Sequence, residues 1–375
     1  MTTSRFLQIH TLHSYTAALL NRDDTGQAKR LVYGGKARTR ISSQCLKRHW
    51  RTAETDPHAL HNLASHVESF RSRELVTEKV IAPLRGRFRD DIVNALEPAF
   101  QKLVYGDKAD KGKKSRQTLL LGEPELAWLA SEAERIAGEA KDAKAAEAEV
   151  AKWAKDKNFK AMSEGAALPG GLVAALFGRM VTSDPAANID APVHVAHAFT
   201  VHAEESENDY FTAVDDLKRD DDDSGADTIQ ETELTSGLYY GYVVIDLPGL
   251  IRNCGHDREL AARVVHNLTC LIAEVSPGAK LGSTAPYGRA ELMLVEAGDR
   301  QPRSLATAFR EAIPHSFGKA RDALADQLAA FDDAYATGEQ RAHLSIGGSL
   351  PNVAKCPLPS LAEWAAEKVK DAPDA

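Results

Sequence analysis

The sequence predicts an α+β protein built on an RRM-like (ferredoxin-like) β-α-β-β-α-β unit that carries a helical insertion and an extended hairpin. Three observations lead there. Strand-like runs fall at 5–12, 193–201, 237–247 and 291–297, and helical periodicity falls at about 42–54 and 258–275. Once the helical stretch 57–190 is set aside, the order of these elements is that of the split βαβ unit. The second and third strands are separated by some 35 residues, so they read as hairpin arms with a greatly extended loop.

In chain order, Phe6, Gln8, His10 and Leu12 alternate with Leu7, Ile9 and Thr11, which makes Arg5 to Leu12 the first strand. Tyr15 to Val32 is a connection containing Leu20-Asn21-Arg22-Asp23-Asp24. Lys36, Arg38 and Arg40 then recur with period two and share one side of an extended segment. Ser42 or Ser43 can cap a helix running to Glu54. On that helix Cys45, His49, Ala53, Leu46 and Trp50 share one arc, and Gln44, Lys47, Arg48 and Arg51 share its neighbour.

Helical patterns fill about His58 to Met162. They are interrupted at Gly106 to Gly112 and restarted by Pro124, with Gly138 a weak point between Glu125 and Lys160. Pro169 to Gly171 ends them. Val193, Val195, His197, Phe199 and Val201 are expected on one strand face. An excursion tipped by Asp220 to Asp223 follows, and Gly237 to Leu247 reads as a buried strand. After the helix and strand that close the unit come C-terminal helices at about 304–312, 319–337 and 361–369. The expected divisions are 1–56, 57–190, 191–202, 203–236 and 237–375.

Composition narrows the function. At 375 residues and 43% hydrophobic the chain can hold two or three packed domains of about 150 residues each. The absence of a run of about 18 apolar residues, and the polar start MTTSRFLQIH, predict a soluble cytoplasmic protein without a membrane partner. Cys45, Cys254, Cys270 and Cys356 are scattered without a CxxC pair, so neither a disulfide framework nor a zinc knuckle is expected. His194, His197 and His202 do not readily converge on a strand, so no metal is expected there either. No cofactor motif, P-loop or nucleophile motif is present.

Charge points to a polyanion. The formal net charge is −8, yet Thr25 to Ala53 contains no Asp or Glu and carries Lys29, Arg30, Lys36, Arg38, Arg40, Lys47, Arg48 and Arg51. A glycine turn, an extended cationic segment and a capped helix start place open amides beside fixed cations. No RRM-type aromatic strand motif is evident, so contacts are expected to phosphate and shape rather than to base edges.

The residues also carry a resemblance. LNRDD (Leu20 to Asp24), GGKxRxRISSQxLKR (Gly34 to Arg48), GRMxTS (Gly178 to Ser183), AHAxTxH (Ala196 to His202), FTAVDDL (Phe211 to Leu217) and PGAK (Pro277 to Lys280) resemble the CasC (Cse4) family. That family supplies the repeated backbone subunit of the type I-E CRISPR Cascade. The resemblance implies a palm, helical fingers and a thumb, and a non-catalytic subunit that binds crRNA. It implies head-to-tail assembly with other copies, contact with other Cascade subunits, pairing of the guide with target DNA, and cleavage by a recruited helicase-nuclease.

The RNA-binding residues expected on these grounds are Arg22, Lys29, Lys36, Arg38, Arg40, Ser42, Gln44, Lys47, Arg48, Arg51, Met180, Tyr210 and Phe211. For Met180 the ordinary role is core filling, and the resemblance implies a wedge between bases. Tyr210 and Phe211 can either pack inside the thumb or stack on bases, and they match the family's aromatic pair. Asp23 and Asp24 fit a turn, and the alternative is a metal-dependent ribonuclease of a related backbone family using one of them. Lys141, Lys144, Lys152 and Lys155 read as a solvated face, with DNA contact the alternative.

Overall fold

The computed structural model describes residues 4–63, 67–106, 109, 116–156, 168, 170–181, 187–213 and 228–374. Strand β1 runs Phe6–Ala18, well past its expected end. β2 (Arg30–Tyr33) and β3 (Lys36–Ile41) form a hairpin in which Tyr33 pairs with Lys36 across Gly34-Gly35. Both glycines have positive φ, as a two-residue primed turn demands. A Cβ on Gly34 would lie 1.5 Å from the Arg310 carbonyl oxygen, so this turn also requires glycine for close packing. β2 was not expected, because the sequence analysis assigned its residues to a connection.

Helix α1 (Ser43–Arg51) begins as expected: Ser42 Oγ accepts from the Cys45 amide at 3.3 Å. It stops at Arg51 rather than Glu54, where the Thr52 amide closes on the Arg48 carbonyl. Next come β4 (Ser69–Ser72), α2 (Asp90–Tyr105), β5 (Leu119–Gly122), α3 (Glu123–Glu139) and α4 (Ala143–Asp156). Pro124 sits in the first turn of α3, and the break between α3 and α4 falls just after Gly138. β6 (Val193–Val195) and β7 (Ala198–Thr200) replace the single strand expected at 193–201. His197 lies in the gap and is exposed, off the shared strand face expected for it.

β8 (Ser206–Ala213) pairs antiparallel with β9 (Thr228–Asp246), and the expected acidic tip, 220–223, lies outside the described residues. β9 is one strand of 19 residues, so the second arm of the excursion and the strand expected at Gly237 are continuous. A helix at Arg258–Glu274 and β10 (Ala290–Gly298) follow. Of the three expected C-terminal helices, the first is only a short 3-10 turn at Ala306–Phe309, and the others run Phe317–Tyr335 and Leu358–Lys370. β11 (Gln340–Ser345) and β12 (Ala354–Lys355) were not expected.

The fold is mixed α+β around a large sheet, and it divides into two units. The first comprises Met1–Ala59, Val195–Ile245 and Val265–Pro373. The second comprises Leu60–His194, Asp246–Val264 and Asp374–Ala375, where the sequence analysis sets a single insertion at 57–190.

In the first unit the strand order is β12-β11-β10-β1-β9-β7-β3-β2, with β8 added on β9. Alternation on these strands makes two faces. On one, Thr11, His13 and Tyr15 face Ile41, Leu46, Trp50, Tyr239 and Ile272 around a small apolar cavity. On the other, Leu12, Phe199, Tyr240, Leu292 and Leu294 pack under Leu305, Phe309, Leu324 and Leu328. Both faces of the sheet are therefore occupied by the chain itself.

The second unit has its own core, in which Phe100, Leu129, Ile136, Val150 and Trp153 join α2, α3 and α4. Lys141, Lys144 and Lys152 are exposed on or beside α4, with Lys152 3.7 Å from Glu149. The Lys155 side chain lies outside the described residues.

Candidate nucleic-acid interface

The acid-free block folds into a hairpin and a helix, and its eight cations meet different fates. Arg38 is fully buried. Its guanidinium donates to the carbonyls of Thr200 at 2.9 Å, Phe309 at 3.2 Å and Arg310 at 3.4 Å. The expectation that Arg38 contacts RNA is corrected here. Period two gives Arg38 and Arg40 a common face, but that face of the sheet lies under the Leu305–Phe309 segment, so Arg38 ties the sheet to its cover. Burial pulls its pKa below the usual guanidinium value. Arg30 is also consumed, paired with Glu204 and Glu233 from 174 and 203 residues away.

Ser42 is a second correction. Its hydroxyl caps α1 and its amide donates to Asn21 Oδ1 at 2.9 Å, so the side chain is buried in the helix start rather than offered to a ligand. Lys36 is exposed at the far end of β3, about 16 Å of strand from the helix start at ~3.3 Å per residue, and stands apart from the rest.

What remains converges. Arg40 Nη1 lies 2.9 Å from His197 Nδ1, and Arg40 Nε donates to the Arg30 carbonyl at 3.0 Å. The pKa of His197 is held below its ordinary value, first by burial and then by the charges of Arg40, Lys29 and Lys47. Arg40 thus touches the imidazole, and the charges of Lys29 and Lys47 act on it from two other segments. Cys45 reports on the next pair: burial pushes its thiol up to about 11 while Lys29 and Arg48 pull it back. Gln44 and Arg48 are exposed on α1, and Lys47 and Arg51 are half-buried beside them. Cys45, Leu46 and Trp50 anchor the opposite arc of the helix, as the periodicity predicts, against Tyr15, Ile41, Ala198 and Tyr239.

Beside α1 opens a cleft of about 510 Å³ lined by Asn21, Arg22, Asp23, Asp24, Cys45, His49, Gly278 and Ala279. The LNRDD and PGAK stretches, some 250 residues apart, thus form its walls together with the helix. His49 joins them, accepting from the Gly278 amide at 3.4 Å and lying 2.8 Å from the Cys45 carbonyl. Asp23 Oδ1 accepts from the Thr25 amide at 2.9 Å, the Thr25 hydroxyl at 2.7 Å and the Gln27 amide at 3.0 Å. These bonds, the Thr25 hydroxyl foremost, hold its carboxyl below the usual range. Asp23 is thereby a turn cap, and Arg22 is exposed beside it.

The aromatic pair sits on β8, where Tyr210 faces Glu231 and Phe211 faces Gln230. Neighbours on a strand point to opposite faces, so the two rings serve different sides of the hairpin. Both are exposed, Tyr210 at 66% and Phe211 at 42%, so neither ring is packed away among the described residues. The Lys280 ammonium lies over the Phe211 ring, 5.3 Å from its centre, and bonds Thr232. Sequence reasoning quoted Lys280 within PGAK but did not select it, and it omitted Asn21, His49 and His197. Asn21, His197 and Lys280 belong to the LNRDD, AHAxTxH and PGAK motifs, whereas His49 lies one residue past the end of GGKxRxRISSQxLKR.

Met180 belongs to the second unit and is 68% exposed, against the core-filling role its type suggests. The reason is its neighbour. Arg179 is buried, with Nη1 2.6 Å and 2.5 Å from the Glu125 carboxylate oxygens and two further bonds to the Ala187 carbonyl. Arg179 also exchanges backbone bonds with Ile189. An arginine fixed inward in an extended segment turns the next side chain outward. Ser183 and the 214–217 part of FTAVDDL lie outside the described residues.

His194, His197 and His202 do not converge. His194 bonds the Ala191 carbonyl at 2.9 Å, and both nitrogens of His202 are engaged, by the Ala203 carbonyl at 2.7 Å and the Leu238 amide at 3.1 Å.

A family model described as CT1975-like protein matches residues 7–364. The chain belongs to the CT1975-like protein family. Among solved structures, this CT1975-like chain is similar to a chain of a "CRISPR RNA-guided surveillance complex, pre-nicking". The two are 25% identical, with 97% of this chain and 100% of that chain covered and a TM-score of 0.78. A chain of a second "CRISPR RNA-guided surveillance complex" is 20% identical over 96% of this chain and 98% of that one, with a TM-score of 0.60, and shares the fold. No curated protein matches the chain.

Proposed function

We propose that this CT1975-like chain is the crRNA-binding backbone subunit of a Cascade-type CRISPR surveillance complex, of type I-E and without catalytic activity of its own. Copies of the chain assemble head to tail along the guide with other Cascade subunits. The guide pairs with target DNA, and a recruited helicase-nuclease cuts. The observation that carries this reading is the convergence of Lys29, Arg40 and Lys47 around His197, with Arg22, Gln44, Arg48 and Arg51 on the adjoining helix and cleft.

The RRM-like palm is part of the same proposal, and the adjacency of β10, β1, β9 and β7 in the sheet supports it. With both sheet faces occupied, the RNA runs along the edge formed by the hairpin and α1 rather than across a base platform. Phe211 and Tyr210 on the hairpin, and Met180 in the second unit, supply the exposed apolar groups that interrupt a strand without reading its sequence. Asp23 acts as a turn cap in this reading, which favours a non-catalytic role over the ribonuclease alternative.

The test is a salt titration of guide-RNA binding. Replacing Arg22 and Arg48 with Ala lowers the log-log salt slope by about 1.4, at ~0.7 per neutralised single-strand phosphate. An unchanged slope and affinity would overturn the assignment of this surface. Incubating the protein and guide with complementary RNA and magnesium, with Asp24→Ala as control, separates the two readings: no metal-dependent cutting supports the scaffold.

A further inference from the structure

Away from the basic arc, the first unit brings together three residues that the sequence scatters over more than 200 positions. One ligand atom each from His58, His266 and Cys270 lies within 4.8 Å of the others. We propose that these three residues bind one zinc-like transition-metal ion.

His266 and Cys270 are four residues apart on the Arg258–Glu274 helix and share one of its faces. His58 arrives from the segment after α1, where its amide donates to Asp56 Oδ1 at 2.7 Å. The His58 and His266 rings stand 5.7 Å apart and tilted by 49°, an arrangement that does not stack them. Among the described residues, buried His58 Nδ1 has no hydrogen-bond partner, and it lies 3.5 Å from Asp56 Oδ1. A buried unpaired ring nitrogen is costly, and a metal ion would satisfy it. On His266, Nδ1 lies 3.2 Å from Asn267 Oδ1, so a proton held there leaves the Nε2 lone pair for a ligand.

Two imidazole nitrogens and one sulfur form a borderline-soft set that suits zinc and excludes magnesium or calcium. With bonds of about 2.0–2.1 Å to nitrogen and ~2.3 Å to sulfur, tetrahedral ligand atoms stand about 3.3–3.6 Å apart. Binding would draw the three atoms, now within 4.8 Å of one another, in to that spacing. Burial first, and then the charges of Glu274 and Asp56, push the Cys270 thiol up to about 12, and those two carboxylates would favour a cation beside it. Binding breaks the S–H bond, releases that proton to solvent and forms a metal–sulfur bond, so affinity rises with pH. A water completes the fourth position, reached on the partly exposed His58 side.

The experiment uses the full chain, stripped with chelator and titrated with cobalt(II). Thiolate-to-cobalt charge-transfer absorption saturating at one ion per chain is expected, with displacement by zinc. Zinc should raise the melting midpoint of the stripped protein. Cys270→Ser abolishes the charge-transfer band, and His58→Gln weakens cobalt binding roughly tenfold or more. If Cys270→Ser does not fold, His58→Gln decides alone, because it changes a half-exposed position. No charge-transfer band at saturating cobalt, a band that survives in Cys270→Ser, or unaltered affinity in His58→Gln would overturn the site.

Discussion

Two charged regions of the first unit use the same residue types to opposite ends. At the centre of the sheet, Glu296 is fully buried and takes His10 Nε2 at 3.0 Å, Arg303 Nη2 at 2.8 Å and Arg341 Nε at 2.6 Å. His10 reaches the Tyr240 hydroxyl at 2.8 Å, which in turn accepts from the Leu305 amide at 3.0 Å. At the edge, α1 and the LNRDD turn present Arg22 and Arg48 exposed. In the first region Glu296 meets counter-charges from other segments of the chain; in the second, cations gather around a neutral imidazole. Cations that the fold consumes stabilise it, and cations that it leaves at an edge can meet a polyanion.

The largest effect should come from breaking the central network. Glu296→Gln removes the buried carboxylate that Arg303 and Arg341 share and leaves them only Glu339 and Asp332 as partners, and a loss of about 3 kcal/mol is expected by urea denaturation. Arg48→Ala at the edge should change stability by less than about 0.5 kcal/mol while weakening RNA binding. If both variants changed stability equally, the contrast between the regions would fail. In the second unit Glu125→Ala should also cost about 3–5 kcal/mol, since Arg179 loses its buried partner, whereas Met180→Ala should leave the melting curve nearly unchanged.

Acid should find the interior before the edge. Burial holds His13 down to about 4, with carbonyl bonds to Ala273 and Ile272 pulling the other way. Its folded pKa lies below the unfolded value of about 6.5, so its contribution is complete above pH 6.5 and is lost as pH falls toward 4. Glu296 is opposed by burial but held well below the usual carboxylate range by Arg303 and His10, so its contribution declines only at still lower pH. Urea midpoints measured from pH 8 to pH 4 should fall through this window, and His13→Gln should flatten the upper part of the decline.

The smallest effects separate the two rings of the hairpin. Phe211→Ala and Tyr210→Ala should each weaken RNA binding by about 1–3 kcal/mol per stacked base, without a shift in melting temperature. Because the rings point to opposite faces of β8, nuclease footprints should change at different nucleotides in the two variants. Identical footprints would show that the two sides of the hairpin are not distinguished by the strand.

Much of the fold was legible. Alternation in Phe6 to Leu12, the cap at Ser42 and the apolar arc of Cys45, Leu46 and Trp50 are local patterns, and each forms where its period puts it. β2, β11 and β12 were not legible, because strands of four, six and two residues carry too few positions to display a period. The expected helix at 304–312 shrinks to the 3-10 turn Ala306–Phe309, where Leu305 and Phe309 cover the Leu12–Tyr240 face of the sheet.

The sequence by itself determined that a cationic block without acids stands at the junction of a glycine turn and a capped helix, and that a helical stretch and a long excursion separate the strands of a mixed α+β fold. Only the tertiary structure decided which of those cations remain available. Period two assigns Arg38 a face but cannot say that residues 305–310 will cover it. Absence of nearby acids in sequence cannot reveal that Glu204 and Glu233 will reach Arg30. The same limit hid His58 beside Cys270. Local patterns fix direction along one element, whereas partners are set by which elements the chain later lays against it.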